Sequence, residues 1–336
     1  MNDQPQQFSI AFQTDKTPAE YIALAKLADA YAFDAVTVYC DAPFQPSYGP
    51  LLLMAPHLRR TRLGPAAVPP ARIHPIDIAA QTALLAGLAT GGVYIGLARG
   101  AWLEDVGIRE AARPVQAIRE AVDVIRYLLE GREGGYEGQI YRLAPHVRAP
   151  YPLPEAPVPV LIGTWGRRLA RLAGEIADEV KVGGSTNPDF APVMRGYISA
   201  GEQQARRPAG SVGLVFGAVT VVDEDRALAR ARVRRAAVLY LPVVAPLDPT
   251  VQVEPELIER LRAHANAGEW DAGAALISDE LLDRFAFSGH PDDIIAQCER
   301  LFAAGVRRIE FGTPHGLTSA KGIRLLGERV LPAFKR

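Results

Sequence analysis

The feature that most constrains this chain is a regular alternation of short apolar runs with longer segments whose apolar residues have helical spacing. The eight runs predicted as strands are residues 8–12, 35–39, 61–64, 93–97, 158–163, 179–182, 212–222 and 307–312. Parallel strands need a crossover connection, which is usually a helix. Eight such strand–helix units in 336 residues predict an α/β protein that closes into a (β/α)8 TIM barrel.

A doubly wound open sheet is the main alternative to the barrel. That fold usually carries a G-x-G-x-x-G turn after its first strand, but here the first strand runs into Gln13, Thr14, Asp15 and Lys16 without a glycine. We therefore predict one barrel domain over residues 1–336. The alternation breaks at a Gly-rich hairpin with a Pro-rich connector (about 132–157) and at a helical or irregular stretch (about 242–284). We predict both segments to be insertions.

Charge and composition exclude several kinds of partner. Lys and Arg total 37 and Asp and Glu total 38, which gives a net charge of −1, whereas nonspecific nucleic-acid binding needs a clustered basic surface. No apolar run reaches the roughly 18 residues of a membrane-spanning helix. The polar first seven residues lack a signal-peptide pattern, and Cys40 and Cys298 give no disulfide framework. We predict a cytoplasmic protein with a small-molecule partner and neither a nucleic-acid nor a membrane partner.

The residues that follow each predicted strand are the candidate site, because barrels place their active sites at the carboxyl ends of the strands. A metal site is poorly supported, since the six histidines show neither H-x-H nor H-x-x-x-H spacing. A serine nucleophile is poorly supported as well, since no G-x-S-x-G turn is present. The glycine-rich loops are therefore the strongest signal.

Two glycine-rich loops follow neighbouring predicted strands. The first, which leads into a helix predicted to start near Arg167, consists of Gly163, Thr164, Trp165 and Gly166. Backbone N–H groups and the dipole at the start of a helix favour a phosphate or carboxylate there. The second loop, which could close on the same anion, begins with Gly183, Gly184 and Ser185. The alternative is that both loops are only tight turns between a strand and a helix.

Eight short motifs follow one another along nearly the whole chain. They are G-P-A-A-V-P-P (64–70), A-R-I-H-P (71–75), G-L-A-R-G (96–100), R-P-V-Q-A-I-R-E-A-V (113–122), V-P-V-L-I-G-T-W-G (158–166), L-A-G-E-I-A-D (172–178), S-T-N-P-D-F (185–190) and S-G-H-P-D-D-I (288–294). Each is weakly specific alone, but in this order they resemble the bacterial luciferase-like superfamily. Within it, the chain is most similar to coenzyme F420-dependent oxidoreductases such as methylenetetrahydromethanopterin reductase.

The resemblance implies a TIM barrel that binds coenzyme F420 or FMN at the carboxyl ends of its strands. It also implies a homodimer or a larger assembly. The cofactor ring is expected against a bulge of the third strand that holds a non-prolyl cis peptide and maps onto Ala66, Ala67 and Val68. The cofactor phosphate is expected at residues 163–166, in agreement with the anion site inferred from the glycines.

The lead hypothesis is an F420-dependent oxidoreductase that transfers a hydride between deazaflavin C5 and a small organic substrate, with the protein supplying orientation and electrostatics. The alternative is an FMN-dependent monooxygenase of the same superfamily that uses O2, because both cofactors need an apolar slot and an anion site. A cofactor-free binding protein is the minor alternative. Ala11 and Ala101 stand where the similar reductases tend to have acidic residues, which argues against their pterin substrate.

A hydride acceptor also needs a proton donor, and the end of the second strand offers one. Strand alternation places Tyr39 and Asp41 on the side of the small and polar residues, and Cys40 on the side of the valines. We predict Tyr39 as the donor that faces the substrate, with Asp41 orienting it or a water. The alternative is that Asp41 only caps the Pro-rich loop. His315, at the eighth strand end, is the reserve candidate.

Overall fold

Eight parallel strands close into a barrel in the computed structural model, which describes residues 5–334. In chain order the strands are β1 Gln7–Phe12, β2 Ala35–Val38, β3 Arg62–Pro65, β4 Ile95–Leu97, β5 Tyr136–Glu137, β6 Arg142–Leu143, β7 Val160–Gly163, β8 Glu179–Gly183, β9 Gly213–Val222, β10 Ala286–Gly289 and β11 Arg308–His315. The ring runs β1–β2–β3–β4–β7–β8–β9–β11, and β11 pairs with β1. Isolated bridges, Leu63 with Val93 and Val68 with Leu97, join β3 to β4. The predicted barrel and its eight strands are confirmed.

Helices surround the barrel. They are α1 Pro18–Ala30, α2 Tyr48–Met54, α3 Pro75–Ala86, α4 Pro114–Leu129, α5 Arg167–Ile176, α6 Phe190–Gln204, α7 Arg226–Val244, α8 Pro255–Ala267, α9 Trp270–Ala275, α10 Asp279–Phe285, α11 Pro291–Ala303 and α12 Ser319–Leu325. Residues 1–4 and 335–336 lie outside the described residues. Both ranges belong to the predicted 1–336 domain, and residues 1–4 also belong to the polar N-terminal segment. Among the described helices, none is both long and apolar enough to cross a membrane.

Two elements differ from the sequence prediction. The sequence pattern does not predict β10, because its four residues follow α10 with no turn between them; it pairs with the second half of β9. The pattern predicts the end of α7 near Leu239, since Pro242 lacks an N–H and usually ends a helix. The helix instead runs on to Val244 with Pro242 inside it.

Segment 132–157 carries the short antiparallel pair β5–β6, with Tyr136 opposite Leu143. A buried carboxylate fixes this hairpin to the barrel. Glu120 of α4 accepts hydrogen bonds from the backbone N–H groups of Gln139, Ile140 and Tyr141 at 2.9, 2.8 and 3.0 Å. Although burial opposes the charged form, these bonds and one from Gln116 lower the pKa of Glu120.

Segment 242–284 contains α8, α9 and α10 and packs against α7. Between these helices and α7 lies an apolar cluster that is separate from the main core. Its fully buried side chains include Val233 and Leu241 from α7, Leu261 from α8 and Leu282 from α10. The segment therefore has an apolar centre of its own beside the barrel. Because α7 follows β9, the cluster lies near the carboxyl ends of the strands, with Val244 beside Gly184.

Charged residues fill the lower interior of the barrel. Arg308 donates from Nη2 to Glu179 Oε2 at 2.6 Å and from Nη1 to Ser9 Oγ at 2.9 Å. Arg62 Nη2 donates to the other oxygen of Glu179 at 2.6 Å. Burial alone would raise the pKa of Glu179, but the two guanidinium groups lower it to about 2. The carboxylate therefore stays ionised inside the barrel at neutral pH.

Replacing Arg308 by methionine should destabilise the protein strongly, because Glu179 would keep only Arg62 as its cationic partner. Removing one partner of a buried ion pair costs about 3–5 kcal/mol. The control is Arg235→Met, which breaks an exposed pair with Asp271 and should cost less than about 1 kcal/mol. Urea unfolding followed by circular dichroism measures both. Equal losses in the two variants would contradict a stabilising role for the interior pair.

Candidate functional site

Small residues at the carboxyl ends of neighbouring strands meet at one apolar surface, which we call the slot. A Cβ placed on Gly163 would lie 3.4 Å from the Cβ of Ala98 and 3.6 Å from that of Ala67, so these three residues meet at one surface. A Cβ on Gly183, on the next strand, would meet nothing within 4 Å. The Ala66–Ala67 peptide is cis. The slot offers small apolar groups on which a flat ring could lie.

Val68 is placed differently from its two predicted partners. Its side chain is fully buried in the core between the barrel and the helices. Its N–H donates to the carbonyl of Gly96 at 2.8 Å, and its carbonyl accepts from the N–H of Ala98 at 3.3 Å. Val68 therefore fastens the alanine bulge to β4, and it offers neither a side chain nor a free backbone group to the slot.

The loop between β7 and α5 leaves the start of a helix without a side-chain cap. Gly166 is the N-cap residue of α5, and its N–H donates to Thr164 Oγ1 at 3.0 Å. The next N–H groups of a helix have no partner within it, and Gly166, Arg167 and Arg168 are exposed. This end of α5 can therefore accept an anion through its N–H groups, with two guanidinium groups nearby.

Glycine at position 166 is not required by the fold itself. Its φ of −90° and ψ of 136° are open to any residue. A Cβ there would approach nothing closer than Thr164 Oγ1, at 3.8 Å. Trp165, by contrast, is a packing residue: its Nε1 donates to the carbonyl of Gly183 at 2.9 Å, and its ring stacks on Phe190 at 5.0 Å.

The loop after β8 uses its N–H groups within the barrel. The N–H groups of Gly184 and Ser185 both donate to the carbonyl of Gly217, at 2.5 and 3.2 Å. Ser185 is fully buried, and its hydroxyl accepts a hydrogen bond from the N–H of Asn187. The structure thus leaves open space at Gly183 but directs Gly184 and Ser185 towards β9. The sequence motif alone could not reveal that these two donors are engaged.

Tyr39 follows β2 and faces the barrel interior at the mouth. The Nζ of Lys181 lies 4.9 Å from the centroid of its ring. Its hydroxyl lies against β11, where a Cβ on Gly312 would come within 2.6 Å of it. Burial, together with the carboxylates of Glu310 and Asp41, raises the pKa of Tyr39 well above its usual range. The hydroxyl therefore keeps its proton at neutral pH.

A second ion pair lies one layer below Tyr39. Lys181 of β8 pairs with Glu310 of β11, and both side chains are buried. The second oxygen of Glu310 accepts a hydrogen bond from Thr37 Oγ1 at 2.6 Å, and Thr37 is linked in turn to the hydroxyl of Tyr94 at 2.6 Å. The sequence reasoning missed Lys181 and Glu310. Their signal was present, since charged residues alternate with apolar ones in E-V-K-V and R-I-E-F.

Asp41 is held from the residue that follows β1 rather than from Tyr39. Its Oδ2 accepts a hydrogen bond from Gln13 Nε2 at 3.0 Å. Arg72, another residue that the sequence reasoning missed, donates to the backbone carbonyls of Cys40, Asp41 and Phe44 at 3.0, 2.7 and 2.8 Å. Arg72 and Gln13 thereby fix the chain that follows β2. Asp41 lies close enough to affect the acidity of Tyr39.

His315, the reserve candidate for the donor, is fully buried at the end of β11. Its Nε2 donates to the carbonyl of Ala11 at 3.0 Å. Burial lowers the pKa of His315 to about 3, so the ring is neutral at physiological pH. It cannot serve as a cationic acid there. Tyr39 is therefore the better placed of the two candidates.

Comparisons with known proteins place this barrel among its relatives. The family model described as luciferase-like monooxygenase matches residues 4–308. The 5,10-methylenetetrahydromethanopterin reductase of Archaeoglobus fulgidus is 30% identical over 338 residues, which cover 98% of this chain and 99% of the relative. The F420-dependent glucose-6-phosphate dehydrogenase of Microbacterium testaceum is 26% identical, over 95% of this chain and 94% of the relative.

A solved structure matches as well. The coenzyme F420-dependent tetrahydromethanopterin reductase of Methanopyrus kandleri superposes with a TM-score of 0.90 at 24% identity, over 98% of this chain and all of that one. At this identity the match establishes the fold. The family model and the full-length 30% identity confirm the resemblance carried by the eight motifs. This chain belongs to the luciferase-like monooxygenase family.

Proposed function

We propose that the protein is an F420-dependent oxidoreductase that transfers a hydride between the cofactor and a small organic substrate. The observation that carries this proposal is the apolar slot of Ala67, Ala98 and Gly163 at the strand ends of a barrel whose mouth also holds the protonated hydroxyl of Tyr39. Two similar proteins whose names state F420 dependence support the proposal: the glucose-6-phosphate dehydrogenase of Microbacterium testaceum and the reductase of Methanopyrus kandleri. The departures at Ala11 and Ala101 favour a substrate other than the pterin of the reductases.

The residues around the slot fit such a cofactor. Ala66, Ala67 and Gly163 would hold the ring on an apolar surface, and the open space at Gly183 would admit its edge. The uncapped first turn of α5 after Thr164 and Gly166 would hold the phosphate. When bound, the deazaflavin would supply hydride at C5. Gly184 and Ser185 would support the site through β9 rather than contact the phosphate.

The protein itself must supply a proton, and we assign this step to Tyr39. A general acid must lie within about 3 Å of the acceptor or one water away, and Tyr39 lies at the mouth beside Gly312. Its raised pKa keeps the proton available through neutral pH. Asp41, bound to Gln13, acts by holding the loop and by its charge.

The alternatives remain those of the family. FMN would fill the same slot and anion site and would support monooxygenation with O2, and a cofactor-free barrel would bind neither cofactor. We further propose that one barrel domain over residues 1–336, with insertions at 132–157 and 242–284, carries the activity in the cytoplasm. Cys40 and Cys298, both buried free thiols, are in keeping with a reducing compartment.

A homodimer is proposed on the basis of an exposed apolar face on α2 and α3. Leu84 is 59% exposed, and Leu88, Ile76 and Leu53 are 44%, 41% and 37% exposed. Large exposed apolar patches mark protein interfaces, and we infer that a second copy of this chain covers these four residues.

Leu84→Lys should shift the assembly towards the monomer, because it places a charge in the proposed interface. Sedimentation velocity at micromolar concentration measures the mass. The control is Leu228→Lys, on a leucine of α7 that is 51% exposed, which should leave the mass unchanged. A monomeric wild-type protein, or an unchanged mass in the Leu84 variant, would contradict this interface.

Titration of the purified protein with F420 and with FMN tests the proposed function. We expect F420 to bind at micromolar concentration, and Gly166→Leu to weaken it at least tenfold, or about 1.4 kcal/mol, because the side chain blocks backbone approach to the phosphate. The fold tolerates the substitution, since Gly166 has an ordinary conformation and open space. Gly196→Leu, at an exposed helical glycine with equally open space, is the control.

Two results would count against these assignments. Micromolar binding of FMN with no binding of F420 would replace the lead function by the flavin alternative. Unchanged F420 affinity in Gly166→Leu, with the protein folded, would remove the α5 loop from the cofactor site.

Tyr39→Phe should lower turnover about 100-fold or more while leaving F420 affinity within twofold, because it removes the donor and keeps the ring. Steady-state kinetics and the F420 titration measure the two effects separately. The control is Tyr136→Phe, a hydroxyl on the distant β5–β6 hairpin that contacts Asp123. Wild-type turnover in Tyr39→Phe would eliminate Tyr39 as the acid and transfer that role to solvent.

A further inference from the structure

The Lys181–Glu310 pair has no part in the function proposed so far. The side chain of Lys181 is 8% exposed and that of Glu310 is fully buried. Replacing a buried ion pair by apolar residues is often neutral or stabilising, so the stability of the barrel does not by itself account for this pair. Its position directly below the ring of Tyr39 suggests a role in the site.

The pair is held in place from several strands. One oxygen of Glu310 pairs with Lys181, and the other accepts a hydrogen bond from Thr37, which is linked to Tyr94. These residues come from β2, β8, β11 and the chain just before β4. The ammonium is thus confined between Glu310 and the face of the tyrosine ring, 4.9 Å from its centroid. A cation in this position attracts the π face of the ring.

We propose that Lys181 is a positioning residue whose ammonium, held by Glu310, stabilises the anion that Tyr39 forms when its hydroxyl gives up a proton. In that step the O–H bond of Tyr39 breaks, and the proton bonds to the substrate atom that carries the new electron pair. The negative charge stays on the phenolate until water reprotonates it after product release. This inference rests on the proposed function, in which Tyr39 is the acid.

The charged and titratable groups that face Tyr39 oppose one another. These groups are Glu310 of β11, Asp41 just after β2, Lys181 of β8, Tyr94 just before β4 and Tyr240 of α7. The two carboxylates disfavour a phenolate, whereas the ammonium favours it. In a buried site with a low effective dielectric constant, each of these charges acts strongly over such distances. Lys181 and Glu310 therefore have opposite effects on the acidity of Tyr39, and this sign difference can be measured.

The experiment is a pH titration of Tyr39 in the cofactor-free protein. 3-Fluorotyrosine is incorporated at the eleven tyrosines, the ¹⁹F signal of residue 39 is assigned with Tyr39→Phe, and its pKa is compared with that of Lys181→Met and Glu310→Gln. We expect Lys181→Met to lower the ionisation constant about tenfold or more, and Glu310→Gln to raise it about tenfold. A merely structural role would not move the two variants in opposite directions.

Two further variants complete the design. Lys181→Arg keeps a cation below the ring and should hold the ionisation constant within about threefold of the wild type. Lys321→Met removes a lysine that pairs with Asp223 at 2.6 Å; neither residue is among the groups that act on the acidity of Tyr39, so its titration should be unchanged. In the active enzyme, Lys181→Met should lower kcat about tenfold or more with KM nearly unchanged, and Lys181→Arg should restore most of it.

The proposal is overturned if folded Lys181→Met and Glu310→Gln shift Tyr39 in the same direction, or if neither shifts it. If a single variant leaves a buried charge unpaired and fails to fold, Thr37→Val decides. It keeps both charges but removes the hydroxyl that donates to Glu310, and it should lower the ionisation constant of Tyr39 about threefold; no change would overturn the proposal. The titration needs neither cofactor nor turnover, so a failure of the proposed function is detected separately, by the F420 titration.

Discussion

Two pairs of opposite charges buried inside the barrel fix the register on which the site depends. Glu179 and Lys181 of β8 face Arg308 and Glu310 of β11, and β9 lies between the two strands. A slip of one residue in either strand would turn its charges towards the apolar layer under the helices. An unpaired buried charge is strongly unfavourable, so only one register of β8 and β11 keeps all four charges paired. In that register Gly217 of β9 lies between Gly183 of β8 and Glu310 of β11.

Charged and polar side chains thus lie in the lower interior of the barrel, and small apolar residues lie above them at the strand ends. The interior layers carry charges, hydroxyls and the ring of Tyr94, whereas alanine and glycine at the mouth lie beside Tyr39 and the polar pair of Gln13 and Asp41. Small side chains at strand ends leave room for a planar ligand. In the proposed function, the charges beneath would act on the lower face of such a ligand, and the loops after β7 and β2 would supply the anion site and the proton donor.

Most of the fold could be predicted from the sequence, because strand and helix periodicities alternate without interruption over long stretches. β10 could not be predicted, since its four residues directly follow α10 without a turn signal. The continuation of α7 through Pro242 could not be predicted either, because it depends on packing in the folded chain. The mouth-facing position of Tyr39 followed from alternation. The hydrogen bonds from Gly184 and Ser185 to the carbonyl of Gly217 could not be predicted. A glycine motif indicates which backbone conformations are allowed, but it does not indicate which carbonyl lies opposite. Arg72 was missed for a similar reason: it reaches the chain after β2 from more than thirty residues away.

Gly166 gives the chain a route by which its ligand preference can change during evolution. Gly184, in the loop after β8, is required by its φ of +85°, which side chains rarely adopt. Gly166 has an ordinary conformation and free space around it. A mutation there would alter the entrance to the anion site while the barrel kept its stability. A lineage could therefore exchange one phosphate-bearing ligand for another through this position without passing through poorly folded intermediates.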